Sequence, residues 1–254
     1  MHICKMCNES KEKLIRCHIY PESMSREISG QEHLLVSASM DGEKSMAGYA
    51  YGGIYDKEII CASCESIFKE ADEYAIDFRR KVLRLEMPAS LPLKTAKLPS
   101  FPANAEKLHK FAMQTWLRSH FSQRHENHQI NDSKKAGLIS RTLLDRRETI
   151  ETGTEICFLF FTCDISQLMM SPVYHKLPDH PLYSLWMPNM NILIAASESG
   201  LPPAFSNIRL ERGKPVTVLR SRRLFEPTLN TIIDGVLPHY EKMSFLFNRR
   251  KNSK

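Results

Sequence analysis

The chain has 254 residues, 42% of them hydrophobic and 25% charged, with a net charge of +6. That content supports one large or two modest buried cores and excludes disorder as the default. The opening residues Met1 to Lys5 lack the apolar stretch of a signal peptide, and the longest apolar runs are too short or too interrupted for a membrane helix of about 20 residues. The expectation is a cytoplasmic protein with reduced thiols.

The chain opens on a Cys-x2-Cys pair, Cys4 and Cys7. A second pair, Cys61 and Cys64, stands farther on, with Cys17-His18-Ile19-Tyr20-Pro21 between them. Each pair places two sulfurs on one side of an ion and folding brings the other pair opposite, which matches the tetrahedral preference of Zn²⁺. Disulfides are the alternative, but an x2 spacing is short for an unstrained bridge. A structural zinc site on Cys4, Cys7, Cys61 and Cys64 is therefore expected.

In chain order, the first pair is predicted to sit in the turn of a β-hairpin, with Lys13-Leu14-Ile15 returning toward a strand at Cys17-His18-Ile19 that Pro21 closes. Residues 25–58 contain Gly30, Gly42, Gly48, Gly52 and Gly53 and read as a long polar loop with short strands around 34–36 and 47–51. Apolar residues at 67, 68, 71, 75 and 78 predict an amphipathic helix that the second Cys pair opens. A hairpin supplying one pair and a helix N-terminus supplying the other is the layout of a treble-clef zinc finger, assigned to residues 1–86.

Pro88, Pro92, Pro99 and Pro102 mark 87–103 as an extended linker. Asn104 is a suitable N-cap for a helix over 105–124, whose stripe Leu108, Phe111, Ala112, Thr115, Trp116 and Phe121 reads as core. A helix over 134–147 follows, then strands over 155–162, 182–186, 192–196 and 216–219, with 188–191 as a turn. Helical spacing resumes over 228–237. The fold class expected is α+β: the finger, then a larger α+β domain over 104–254 with a small, mainly antiparallel sheet.

Charge is uneven, since residues 209–254 carry 11 basic and 4 acidic side chains. Arg220, Arg222, Arg223, Arg249, Arg250 and Lys251 are candidates for non-specific contacts to nucleic-acid phosphates, with a merely solvated basic terminus as the alternative. His120, His125 and His128 with Glu126 suggest either a second metal site or surface capping. Cys157 and Cys163 read as buried small hydrophobes, and Trp116 and Trp186 as core anchors. There is no phosphate-binding P-loop and no G-x-S-x-G motif.

The order Cys-x2-Cys, then Cys17-His18-Ile19-Tyr20-Pro21, then Ile60-Cys61-Ala62-Ser63-Cys64-Glu65 entering a helix resembles the HNH nuclease family over roughly residues 2–80. It is most similar to a bacterial and phage branch with Ser-His-Ile-Ile-Pro at the central strand. The resemblance implies a ββα-metal finger in which His18 is the general base of phosphodiester hydrolysis. A Mg²⁺ or Mn²⁺ ion would be held by neighbouring carboxylates, drawn here from Asp56, Glu65 and Asp72. It further implies a role in bacterial defence or phage counter-defence, alone, as a homo-oligomer or with a protein partner.

Cys17 stands where the family has an Asp metal ligand, and a thiol is a poor ligand for Mg²⁺. A catalytically inactive zinc-finger protein that binds nucleic acid or a protein partner is the alternative, in which His18 packs beside the zinc and Glu65 and Asp72 form a solvated helix face.

Overall fold

The computed structural model describes residues 1–29, 34–41, 44–51, 53–85, 95–97, 103–124, 130–147, 152–161 and 169–221. The N-terminal strands β1 (His2–Ile3) and β2 (Ser10–Lys11) form the expected antiparallel hairpin, and its turn carries Cys4 and Cys7. Asn8 takes a left-handed conformation in that turn (φ 57°), which an Asn tolerates better than most side chains. Next come β3 (Cys17–His18) and α1 (Glu22–Ser29), the helix beginning directly after Pro21, whose carbonyl accepts from the Met24 amide at 3.0 Å.

Within residues 25–58, the short strands expected around 34–36 and 47–51 are parts of a longer antiparallel hairpin of β4 (Leu34–Asp41) and β5 (Lys44–Tyr51), paired over eight residues each, and most of α1 also falls in this range. The small Ser, Ala and Gly side chains there have weak strand preference, and the backbone ladder supplies what propensity lacks. β6 (Tyr55–Asp56) then returns to pair with β3, Cys17 opposite Asp56 and His18 opposite Tyr55.

Helix α2 (Ala62–Arg84) begins at the second Cys pair and runs two turns past the predicted end. Its buried residues Phe68, Ala71, Ala75, Phe78 and Val82 continue one stripe, while Lys, Arg and Leu in its last turns are good helix formers. After β7 (Thr95–Lys97) comes α3 (Ala105–Phe121), capped as expected by Asn104, whose side chain accepts from the Lys107 amide at 2.8 Å. Asp132 caps α4 (Ser133–Leu144) in the same way, through the Lys135 amide at 2.9 Å.

The remaining strands are β8 (Ile156–Phe161), β9 (Met169–Met170), β10 (Val173–His175), β11 (Leu182–Met187), β12 (Met190–Ala195) and β13 (Leu219–Ser221), with a 3-10 turn at Pro203–Ile208 before the last. One sheet has the order β10-β11-β12-β8-β13-β7 and is antiparallel except where β13 lies parallel to β8. The turn expected at Pro188 is a tight β11–β12 hairpin in which Asn189 has φ 61°. β9 joins the β4–β5 hairpin, running parallel to β4. The predicted helix over 228–237 and nearly all of the Pro-rich stretch lie outside the described residues.

Strands β8, β11 and β12 are buried on both faces, which is why they read as continuous apolar runs. One face carries Phe158, Phe160, Leu185, Ile192 and Ile194 and packs on α2 and α3, with Phe78 edge-on to Phe158 and Phe160 at 6.2 and 5.8 Å. The other carries Cys157, Leu159, Phe161, Trp186 and Leu193 and forms a smaller cluster with Leu201 and Ile208. Cys157 is thus the buried small hydrophobe expected, while Cys163 lies outside the described residues.

Two separate cores joined by a linker do not describe this packing. A single apolar cluster runs from Cys4, Met6, Ile19 and Tyr20 of the finger through α2 and α3 to the sheet. Tyr20 adds a polar tie, donating its hydroxyl to the Met170 carbonyl at 2.8 Å. Phe158→Ala is expected to cost about 3–5 kcal/mol through the cavity it leaves. Chemical unfolding of that variant, followed by far-ultraviolet and aromatic circular dichroism, should show one shifted transition. Two resolved transitions would mean that the finger and the sheet unfold independently.

Candidate metal centre and its surroundings

The β1–β2 turn brings Cys4 and Cys7 together because the Cys4 amide donates to the Glu9 carbonyl (3.0 Å) and the Asn8 amide to the Cys4 carbonyl (2.8 Å). The second pair sits where α2 starts, with Cys61 at the N-cap. Two backbone bonds dock the halves: Lys5 amide to Ile59 carbonyl at 2.9 Å and Ile15 amide to Ile60 carbonyl at 3.0 Å. The Cys61 amide then points at the Cys4 sulfur, 3.4 Å away.

As a result the four sulfurs lie within 4.8 Å of one another, Cys4 Sγ and Cys64 Sγ at 3.7 Å. Sulfurs at the corners of a tetrahedron around zinc, each about 2.3 Å from the ion, stand about 3.8 Å apart. The geometry fits a four-thiolate zinc centre, and all four cysteines are free thiols.

Electrostatics point the same way. Burial pushes the Cys64 thiol up, and its neighbours Cys61 and Cys4 push it further; burial likewise raises Cys7. At Cys61 burial also opposes the thiolate, but hydrogen bonds from Ser63 Oγ and the Cys64 backbone bring the thiol down to about 6. Cys64 and Cys7 therefore resist becoming thiolates beside their neighbours, and a divalent ion between the sulfurs would reverse that balance.

The carboxylates named from the sequence are placed differently. Cys17 and Asp56 share one face of the β3–β6 ladder, and His18 and Tyr55 share the other. On the first face, the buried Cys17 thiol is 3.3 Å from Glu65 Oε2. Burial holds that thiol far above its ordinary value and the Glu65 carboxylate adds to the effect, so Cys17 is the donor. Burial also raises Glu65, against the pull of Arg118.

Asp72 receives both terminal nitrogens of Arg118, at 2.9 and 2.8 Å, and the Gln114 amide at 2.6 Å. It is neither a solvated helix residue nor an open ligand. Asp56 accepts from Ser122 Oγ (3.1 Å) and the Gln123 amide (2.8 Å), closing the end of α3. His18 is partly exposed on the opposite face, its ring 5.8 Å from Tyr55, over which Arg16 lies at 3.8 Å. Among the described residues, the four cysteines are the only group of three or more His, Cys, Asp or Glu side chains arranged to hold an ion.

Arg118 is the residue that sequence reasoning passed over. It is 1% exposed, and burial works against its charge, but Asp72 more than offsets this and the guanidinium stays protonated. The signal was present: 118 falls on the same helical stripe as 108, 111 and 115, where a charge demands a partner. His120 stacks on Trp116 at 5.4 Å and its Nδ1 meets the Ile130 carbonyl at 3.0 Å, a packing role; His125, Glu126 and His128 lie outside the described residues. Arg220 lies in β13, and Arg222, Arg223, Arg249, Arg250 and Lys251 lie outside the described residues.

In comparisons with known proteins, no family model, no curated protein and no solved structure matches this chain. No helix among the described residues is long and apolar enough to cross a membrane.

Protein purified without chelator should contain one zinc ion per chain by elemental analysis, and Cys64→Ser should lose it; a metal-free, stably folded wild type would refute the centre. Arg118→Gln should cost about 3–5 kcal/mol because it leaves Asp72 buried without its counter-charge. Pairing it with Asp72→Asn should recover part of that loss in a double-mutant cycle. Additive losses would show that the two groups do not depend on each other.

Proposed function

We propose that this chain is a zinc-stabilised, HNH-like scaffold that binds its partner without cutting it, and that nucleic acid is the partner its charge favours. The observation that carries this reading is the fate of the carboxylates. Asp72 is paired with Arg118, Asp56 accepts from Ser122 and Gln123 just beyond α3, and Glu65 faces Cys17, so among the described residues these carboxylates form no open set of oxygen ligands for Mg²⁺ or Mn²⁺. Phosphodiester hydrolysis needs a base for the attacking water and a cation for the leaving oxygen, and the second requirement has no provision among the described residues. The hairpin hook facing a helix-opening hook supports the treble-clef assignment.

A second reading, the metal-dependent HNH nuclease, is favoured by one feature. His18 stands partly exposed on β3, in the strand–strand–helix order β3, β6, α2. Incubation with plasmid DNA, single-stranded DNA and RNA in Mg²⁺ or Mn²⁺ separates the two. Under the binding reading no cleavage appears, and wild type and His18→Ala behave alike. Cleavage that His18→Ala abolishes while zinc content and folding are unchanged would establish the nuclease.

Binding is expected to weaken as salt rises. Replacing Arg222, Arg223, Arg249, Arg250 and Lys251 by Gln should flatten that dependence, because each lost phosphate contact releases fewer counterions. Superimposable binding curves for the two proteins across salt concentrations would show that this end of the chain is only a solubilising surface and would favour a protein partner.

A further inference from the structure

Two side chains that flank the candidate metal centre reach the end of α3. Lys5 lies between the ligands Cys4 and Cys7, its amide fixed on Ile59, and its Nζ donates to the carbonyl of Phe121, the last residue of α3, at 2.6 Å. A cation on an unpaired carbonyl at a helix C-terminus is favoured both as a hydrogen bond and by the helix dipole. Asp56 lies on β6, five residues before Cys61, and holds the next two residues, Ser122 through its hydroxyl and Gln123 through its amide. Ser122 in turn accepts the Arg124 amide at 3.2 Å.

The rest of α3 is held by other means. Gln114 donates to the Phe68 carbonyl at 3.0 Å and to Asp72, Arg118 pairs with Asp72, and Leu108, Phe111, Ala112 and Trp116 are fully buried. Ser119 bonds the Thr115 carbonyl and His120 stacks on Trp116, so it is the stretch from Phe121 to Arg124 that meets the β1–β2 turn and the strand leading toward Cys61.

We propose that the four-cysteine centre is a metal-operated latch on the C-terminal end of α3: with the ion bound, Lys5 and Asp56 fix residues 121–124, and loss of the ion frees that stretch while the remainder of the helix stays packed. This rests on the zinc reading given above. The physical basis is that the turn carrying Lys5 and the segment 57–61 are docked by two backbone bonds, a sulfur contact and the ion. Removing the ion leaves four crowded thiols, and the weakest contacts beyond them yield first.

The test is amide hydrogen exchange on the full-length chain, with metal content measured on every sample. Three samples are compared: zinc-loaded wild type, wild type stripped with a chelator, and zinc-loaded Lys5→Met/Asp56→Ala. The latch predicts that stripping speeds exchange at 121–124 by about tenfold or more, as expected for losing two or three modest hydrogen bonds, with little change at 108–115. The double variant should reproduce the change at 121–124 while keeping one zinc ion per chain.

If metal is present and stripping leaves 121–124 unchanged, or speeds all of α3 equally, the latch is wrong although the zinc centre stands. Unchanged exchange at 121–124 in the zinc-loaded double variant overturns it as well. Should the double variant fail to fold, Asp56→Ala alone takes its place, read at the Gln123 amide, where an unaltered rate has the same meaning. A wild type that never carries metal removes the zinc reading itself.

Discussion

A guanidinium in an apolar interior needs a counter-charge, and the pairing of Arg118 with Asp72 supplies it where α3 crosses α2. The neighbouring contacts are built around that pair. Gln114 reaches the same carboxylate and a backbone carbonyl of α2, Phe68 offers its ring to the guanidinium at 5.0 Å, and Glu65 one helical stretch earlier feels the same positive charge. Bidentate geometry makes the contact directional, so it fixes the rotation of α3 about its axis as well as its distance from α2. The helix that opens at Cys61 is thereby tied to the sheet through α3, and the finger has no core of its own.

A second arginine does comparable work at the far end of α2. Arg79 is buried, donates from Nε to the Pro188 carbonyl at 2.6 Å and from Nη2 to Asn189 Oδ1 at 3.1 Å, and pairs with Glu27 of α1. It joins α1, α2 and the β11–β12 turn at one point. Breaking one member of such a buried network costs more than the pair is worth in isolation, because the remaining charge is left without solvent. Helix α2 is thus pinned near its middle and near its end by charge, along its length by apolar contact, and at its start by sulfur.

Much of this was legible in the sequence. The two Cys pairs, the N-cap at Asn104, the apolar runs of β8, β11 and β12 and the turn at Pro188 are local signals, set by side-chain spacing and by the φ preferences of a few residues. What escaped was non-local. Asp72 and Glu65 share a helix face by spacing, but whether that face meets solvent, a metal or an arginine depends on a residue more than forty positions away. The β4–β5 hairpin was legible only as short strands around 34–36 and 47–51, and its full length comes from pairing, including the parallel contact with Met169 and Met170. Likewise, the separation into two domains was inferred from prolines, and prolines report on backbone conformation without saying which apolar faces meet.

The two halves of the metal centre come from positions 57 residues apart, Cys4 and Cys61, with α1 and the β4–β5 hairpin between them. An ion that joins them closes a long loop, and the entropy of closing such a loop grows only logarithmically with its length, about 0.6 kcal/mol for each doubling. The centre is therefore nearly indifferent to how much chain lies between its hooks. That tolerance lets the chain between the two hooks gain length, and so acquire new surface, at little cost to the cluster that joins them.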